Sequence, residues 1–448
     1  MLMIKNKFIY KKLIILMELE CLGILHTKNQ GEEFYIIKLI GQGQYSRVYL
    51  SLGKDNQHYA IKLFKDIESF RNETSKLNDL MPSKHIVKLY SYGEGVLERG
   101  YSIYSYKLFN SFNREDTIRY AIFEYLNNGE LYNYVLRIKK KFPEDISRKI
   151  FYDLVKAVEA CHKCGITHGD IKLENILLSS CFNIKLIDFG FAKRIEEGLI
   201  SSLTGTRGYA APECFISSVN EYSGVTSDIF SLGVVLFLLV MGFYPFEKPN
   251  CTDSRFKFIM KKDFNGFWKK CDKIINEPNF TTTSEFKNLF ERMVCYQAKE
   301  RLSLNEIKNH PWFYELTGKS NNISNSNLNK NELNNAGSYN NTKTINLIGD
   351  NNKINNKQNN NGESINGKKK FNKFGKSLKD FLNKGKNGNN IIINNKEDIK
   401  SNINYQEGSP KILLLQSISK YKEIEIKCIK ELSKRKVEID SILESEKD

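Results

Sequence analysis

The stretch HYAIKLF, His58 to Phe64, sets one lysine, Lys62, in an otherwise apolar strand. An ammonium is costly to bury unless anions surround it, so the fold must bring carboxylate or phosphate oxygens to that strand. Glu73, in the helical-looking segment SFRNETSKLNDL, is the candidate carboxylate, with Leu77 one turn later facing the core. The competing reading is a strand-edge lysine whose head reaches water along its own aliphatic stem.

Ahead of this strand, FYIIKLIGQGQYSRVYLS reads as strand, glycine turn, strand. Gly41 and Gly43 let backbone amides approach phosphates unobstructed, and Val48 returns onto a base from the next strand. Ser46 stands at the third glycine position, and a hairpin with two glycines also forms with no ligand at all. Beyond Lys62 come HIVKLYSYGEG, a further strand, then a polar and aromatic insertion at Ser102 to Thr117. The apolar run of YAIFEYLNNGEL ends at Phe123, and Glu124, Tyr125 and Asn127-Asn128-Gly129 form a turn able to present backbone groups to adenine. Glu130 opens a helix within reach of a ribose hydroxyl, although a carboxylate at a helix start is common without a ligand.

ITHGDIKLENILL, Ile166 to Leu178, spaces Asp170, Lys172 and Asn175 for phosphoryl transfer, and Asp188-Phe189-Gly190 and Ala211-Pro212-Glu213 follow. Together and in this order, GQGQYSRV, AIK, HGDIKLEN, DFG and APE resemble the eukaryotic protein-kinase domain over Phe34 to Phe313. Lys172 and Thr206 match the serine/threonine type. The HPWF ending and general cadence are similar to the calcium/calmodulin-dependent and SNF1-like groups.

The resemblance implies an α+β bilobal fold, with a small, mostly β N-lobe holding one key helix and a larger, mostly α C-lobe. It implies ATP and Mg2+ as cofactors. Ile40, Gly41, Gly43, Ser46, Val48, Ala60, Lys62, Glu73, Glu124, Leu126, Glu130 and Leu177 then serve the nucleotide, and Asn175 and Asp188 the metal. Asp170 accepts the proton of a protein hydroxyl, and Lys172 stabilises the transferring phosphoryl. By the same resemblance Leu77, Leu89, His168 and Phe189 stack as a spine, and Glu213 pairs with Arg301. Gly169 departs from the family's usual arginine, which removes an anchor for an activation-loop phosphate and leaves the catalytic trio intact. Phosphorylation of Ser201, Ser202 or Thr204 is therefore expected to matter little. The rival class is a nucleotide-binding pseudokinase scaffold; retention of Lys62, Asp170, Asn175 and Asp188 favours transfer.

Composition divides the 448 residues into a leader (1–33), the kinase-like domain (34–313), a low-complexity Asn/Lys-rich disordered region (314–407) and a C-terminal helix (408–448). Glu18 and Glu20 interrupt the apolar run Leu13 to Leu25, against a signal peptide. TSDIFSLGVVLFLLV, with Asp228 near its start, reads as a buried core helix and not as a transmembrane segment. Nine scattered cysteines fit a reducing, cytoplasmic setting, and Cys161 and Cys164 lack a second ligand pair for zinc.

The formal charge is +16. No nucleic-acid-binding signature accompanies it, so no specific nucleic acid is expected beside the protein substrate. Much of the excess lies in Lys368 to Lys386, where Phe371, Phe374, Leu378, Phe381 and Leu382 share one helical face. A basic linker, or a segment binding a calmodulin-like protein or an anionic membrane surface, both fit it. In the final segment Ile418, Tyr421, Ile424, Cys428, Leu432, Ile439 and Ile442 make an amphipathic stripe, with docking on the kinase domain or on a partner both open. Glu425 and Arg435 on or near that stripe disfavour a long coiled coil.

Overall fold

Alternating apolar residues build the small lobe. The strands β1 (Gly23–Thr27), β2 (Glu33–Gln42), β3 (Ser46–Gly53), β4 (His58–Phe64), β5 (Leu89–Arg99) and β6 (Ile118–Glu124) close into an antiparallel barrel in the order β1-β2-β3-β4-β6-β5. The structure, a computed structural model, describes residues 21–100, 108, 117–200, 205–215, 221–275, 277, 280–317 and 410–446. Inside the barrel Leu25, Phe34, Ile36, Tyr49, Ile61, Leu63, Tyr120 and Ile122 pack as one core. Closure leaves these strands no free edge to aggregate.

The last part of the expected leader is thus a barrel strand, and the lobe begins ahead of Phe34. β1 pairs with β2 across the Lys28–Glu32 turn and with β5 on its other side. Gly95 permits the second pairing, since a Cβ there would stand 2.6 Å from the His26 carbonyl oxygen.

Helix α1 (Ile67–Asp79) starts where the Asp66 carboxylate accepts the Ser69 N–H at 2.7 Å. It carries Glu73 and Leu77 inward, one turn apart, both buried.

The large lobe holds α2 (Glu144–Lys163), α3 (Gly224–Met241), α4 (Phe256–Met260), α5 (Phe264–Asp272), α6 (Ser284–Met293), α7 (Leu304–Lys308) and α8 (Tyr314–Thr317). Two short ribbons face the small lobe: β7 (Ile166–Thr167) with β10 (Lys193–Arg194), and β8 (Ile176–Leu178) with β9 (Ile184–Leu186). Helix α3 is the only described helix long and apolar enough to cross a membrane, and it is 89% buried in the core. It ends at Gly242, whose φ of 77° suits glycine and whose N–H returns to the Leu238 carbonyl at 2.9 Å. The expected bilobal α+β architecture is the observed one.

Helix α9 (Pro410–Ser445) lies along α2 with Ile424, Cys428, Leu432 and Ile439 buried. Lys427 pairs with Asp145, and the Tyr421 ring sits under Lys149 and Lys156. Of the two dockings left open by the stripe, this one is on the chain's own large lobe. Residues 368–386, like Ser201, Ser202 and Thr204, lie outside the described residues.

Candidate active site

The requirement set by Lys62 is met twice. From β4 its ammonium donates to Glu73 Oε1 at 2.8 Å and Oε2 at 2.6 Å, and to Asp188 Oδ1 at 2.9 Å. Burial works against the ammonium, but the Glu73 and Asp188 carboxylates outweigh it and raise its pKa. Burial also pushes the Glu73 carboxyl up to about 6, with Lys62 pulling the other way. Lys62 holds Asp188 down at about 2 against burial, so Asp188 is ionised at neutral pH.

Asp188 adopts φ 61°, a left-handed conformation that costs a non-glycine residue about 1–3 kcal/mol. Its side chain, 40% exposed, faces the cleft. Behind it the Phe189 ring meets His168 edge-on at 4.9 Å; Leu77 and Phe189 belong to the large hydrophobic core, and Leu89 packs against it.

Around Asp170 a second network forms. Thr206 Oγ1 donates to Asp170 Oδ1 at 2.6 Å, while Lys172 Nζ donates to Asp170 Oδ2 at 2.5 Å and to Thr206 at 2.8 Å. Asn175 Nδ2 donates to the Asp170 carbonyl at 2.9 Å and to Oδ2 at 3.1 Å. With its nitrogen so tied, Asn175 turns its amide oxygen elsewhere, which suits a hard cation shared with Asp188. Among the described residues no three His, Cys, Asp or Glu side chains cluster as a metal site. A magnesium ion here fits as one held by a carboxylate, an amide oxygen and the phosphates of the substrate.

The catalytic loop hangs on a residue whose importance sequence reasoning missed. Asp228, at the start of α3, accepts the His168 N–H at 2.9 Å and the Gly169 N–H at 2.9 Å, and meets His162 Nε2 at 2.8 Å. The signal was available: a lone carboxylate in a wholly apolar helix must find donors. Replacing it, Asp228→Ala, should destabilise the fold by about 3 kcal/mol, because the buried His168 N–H and the half-buried Gly169 N–H lose their acceptor. Urea denaturation checks this, and an unchanged midpoint counts against it.

Gly169 sits at φ 77°, and a Cβ there would stand 2.7 Å from the Phe191 carbonyl oxygen. The loop is therefore shaped around glycine. The segment after Asp188 is held by other means: Ile195 N–H to the Gly165 carbonyl at 2.7 Å, the Ile200–Tyr222 bridge, the Arg194–Asp79 pair and Thr206.

The other residues expected to serve the nucleotide lie on the small-lobe strands and the glycine loop, on the segment that follows β6 and on β8. In the glycine loop Gly41 pairs with Val48, the Gly43 N–H bonds the Ser46 carbonyl at 2.9 Å, and Ile40 is exposed at the rim. Ser46 is itself buried. Val48 pairs with Lys62 and Ala60 with Phe123, and Leu177 is bridged to Glu130. Glu124 differs from the rest. Its carboxylate oxygen Oε1 accepts from both Lys185 Nζ at 2.7 Å and the Lys88 N–H at 2.8 Å. Leu126 is buried beside it. Burial raises the Glu130 carboxyl, and Glu174 adds to the rise.

A barrel over a helical lobe, with a lysine–carboxylate triad and an Asp–Lys–Asn loop between them, defines the bilobal protein-kinase class of fold. Comparison with known proteins agrees: the protein kinase domain family matches residues 34–313, and the chain belongs to that family. The chain is 31% identical over 295 residues to CBL-interacting protein kinase 10 of Oryza sativa subsp. japonica, covering 63% of this chain and 57% of the relative. Similarity to the SNF1-related protein kinase catalytic subunit alpha KIN12 of Arabidopsis thaliana is 31% over 290 residues, with 62% and 51% covered. To the serine/threonine-protein kinase SIK2 of Gallus gallus it is 32% over 282 residues, with 62% and 32% covered. The matches thus span about half or less of these relatives' lengths.

Proposed function

We propose that this chain is a serine/threonine protein kinase that transfers the γ-phosphoryl group of ATP to a protein hydroxyl. The closed Lys62–Glu73–Asp188 triad carries the reading, since it places the phosphate-binding ammonium and a metal-binding carboxylate side by side. Asp170 orients the acceptor hydroxyl and takes its proton. Lys172 stabilises the transferring phosphoryl, a role supported by its ammonium lying 2.5 Å from that carboxylate. Lys62 binds the α and β phosphates, the amides of the glycine loop approach the others, and the backbone of Glu124 to Leu126 meets adenine. Asp188 and Asn175 would hold magnesium, which would supply neutralisation of phosphate charge. Incubation with Mg-ATP and degenerate peptide libraries tests this: phosphate on Ser and Thr peptides supports it, and phosphate on Tyr peptides alone or on none rejects it.

Because Gly169 offers no cation to receive a phosphate, activity should be insensitive to phosphorylation of Ser201, Ser202 or Thr204. Phosphatase treatment is expected to change the rate by less than about twofold. A large loss restored by rephosphorylation would overturn this.

The same proposal places the protein in the cytoplasm, supported by nine free thiols. It assigns residues 368–386 to an acidic calmodulin-like protein or an anionic membrane surface. Support comes from the steps of three, four, three and one between Phe371, Phe374, Leu378, Phe381 and Leu382, with lysines around them. Several of the similar plant kinases are themselves named for a partner protein. A synthetic peptide of this stretch should gain helicity with calcium-loaded calmodulin or anionic vesicles, and Phe371→Ala, Phe374→Ala and Phe381→Ala together should abolish the gain. No gain with either target rejects the assignment.

A further inference from the structure

Arg435 on α9 is buried to 4% exposure although it carries a full charge. Its Nη1 donates to the carbonyls of Tyr134 and Lys140 and its Nη2 to that of Lys141, each at 2.7 Å. Nε donates to Glu431 at 2.7 Å, and the guanidinium lies 3.8 Å from the Phe142 ring centroid. Four of the five N–H donors of the fork are thus engaged, as a buried arginine needs.

The carbonyls it gathers belong to the segment beside the cleft. Residues Asn133–Arg137 form one turn of π-helix, a geometry often found at functional sites, and Lys139 follows with φ 52°. Lys139 bonds back to Leu136 and Lys140 to Val135, so the Tyr134 carbonyl receives its donor from Arg435. The Tyr134 side chain points the other way, and its hydroxyl donates to the Asn128 carbonyl at 2.9 Å. Asn128 is part of the connector between the lobes: its N–H bonds Leu178 at 3.3 Å and its side chain Ser179 at 2.7 Å. Arg435, Tyr134 and Asn128 therefore form a continuous hydrogen-bonded path from the C-terminal helix to the wall of the nucleotide cleft.

We propose that Arg435 is a positioning residue for the nucleotide site, and that α9 is a built-in clamp fixing the connector through Tyr134. Displacing the helix then loosens the connector and weakens ATP binding while leaving the Asp170 network in place. The inference rests on the nucleotide-cleft reading above, but the path itself can be read without nucleotide.

The test uses the full chain, with Arg435→Met, Arg435→Lys, Tyr134→Phe and the Arg435→Met/Tyr134→Phe double variant. Hydrogen exchange at the Tyr125–Leu131 amides without ligand should rise about five- to tenfold in Arg435→Met and in Tyr134→Phe, the scale of one lost hydrogen bond. The double variant should add little to either single change, because both cut the same path. Arg435→Lys, which keeps the charge but not the fork, should recover only part of the protection. In transfer assays KM for ATP should rise by a similar factor with kcat little changed. Unchanged connector exchange in Tyr134→Phe, which removes one hydroxyl and leaves α9 docked, overturns the proposal even if Arg435→Met fails to fold. So does full additivity in the double variant. A wild-type chain that transfers no phosphate would instead defeat the kinase reading and leave the exchange result standing.

Discussion

Asp170→Asn is expected to lower kcat by about a thousandfold while leaving the affinity for Mg-ATP within about twofold, the range set by loss of a general base. The geometry gives both halves of that expectation. An asparagine at this position still accepts from Thr206 through its amide oxygen, but its nitrogen replaces the oxygen that now receives the Lys172 ammonium at 2.5 Å. The proton acceptor is gone and two donors face each other. Lys62, Glu73 and Asp188, which would hold the phosphates and metal, bond among themselves and are untouched. A variant that keeps the wild-type kcat, or that loses ATP affinity in proportion to kcat, would show that Asp170 has another role.

The second large effect is on stability. Arg301 is fully buried at its side chain and grips Glu213 with two bonds, 2.6 and 2.7 Å, while also donating to the Thr226 and Cys295 carbonyls at 2.9 Å. It ties the end of the activation segment to α3 and to the turn after α6. Arg301→Ala leaves the Glu213 carboxylate buried without its partner, and breaking such a pair costs roughly 3–5 kcal/mol. Since a domain is stable by only about 5–15 kcal/mol, the variant should unfold at a much lower urea concentration. Replacing both residues by apolar ones of similar volume should restore part of the loss, as desolvation then disappears with the charge. A loss below about 1 kcal/mol in Arg301→Ala would place the pair among weak surface bridges and contradict this account.

What could be read in the sequence was what is local in the chain. Lys62 in an apolar strand, the glycines of the loop and the Asp170–Lys172–Asn175 spacing declare themselves within a few residues, because each poses a burial or backbone problem that only a few partners solve. Long-range pairings declared themselves less well. β1 was hidden in an apparent leader because the strand that completes it, β5, lies about 70 residues on, and only the Gly95 approach to His26 reveals the fit. Asp228 looked like a helix-start residue until its acceptor role toward His168 and Gly169 was visible. Arg435 looked like a flaw in an apolar stripe and is instead the best-bonded residue of α9, since carbonyls from Tyr134 to Lys141 converge on it only after folding. The Glu124 carboxylate likewise found partners that its sequence neighbourhood did not announce, Lys185 and the Lys88 N–H.

The central claim is that the assembled cleft transfers phosphate through Asp170. It is tested most directly by the initial rate of phosphoryl transfer from Mg-ATP to a serine/threonine peptide library, with wild type and Asp170→Asn purified side by side. The account predicts steady transfer by wild type, none above background by Asp170→Asn, and none by either after EDTA. Wild-type transfer no faster than that of Asp170→Asn would contradict it and leave a nucleotide-binding scaffold in its place.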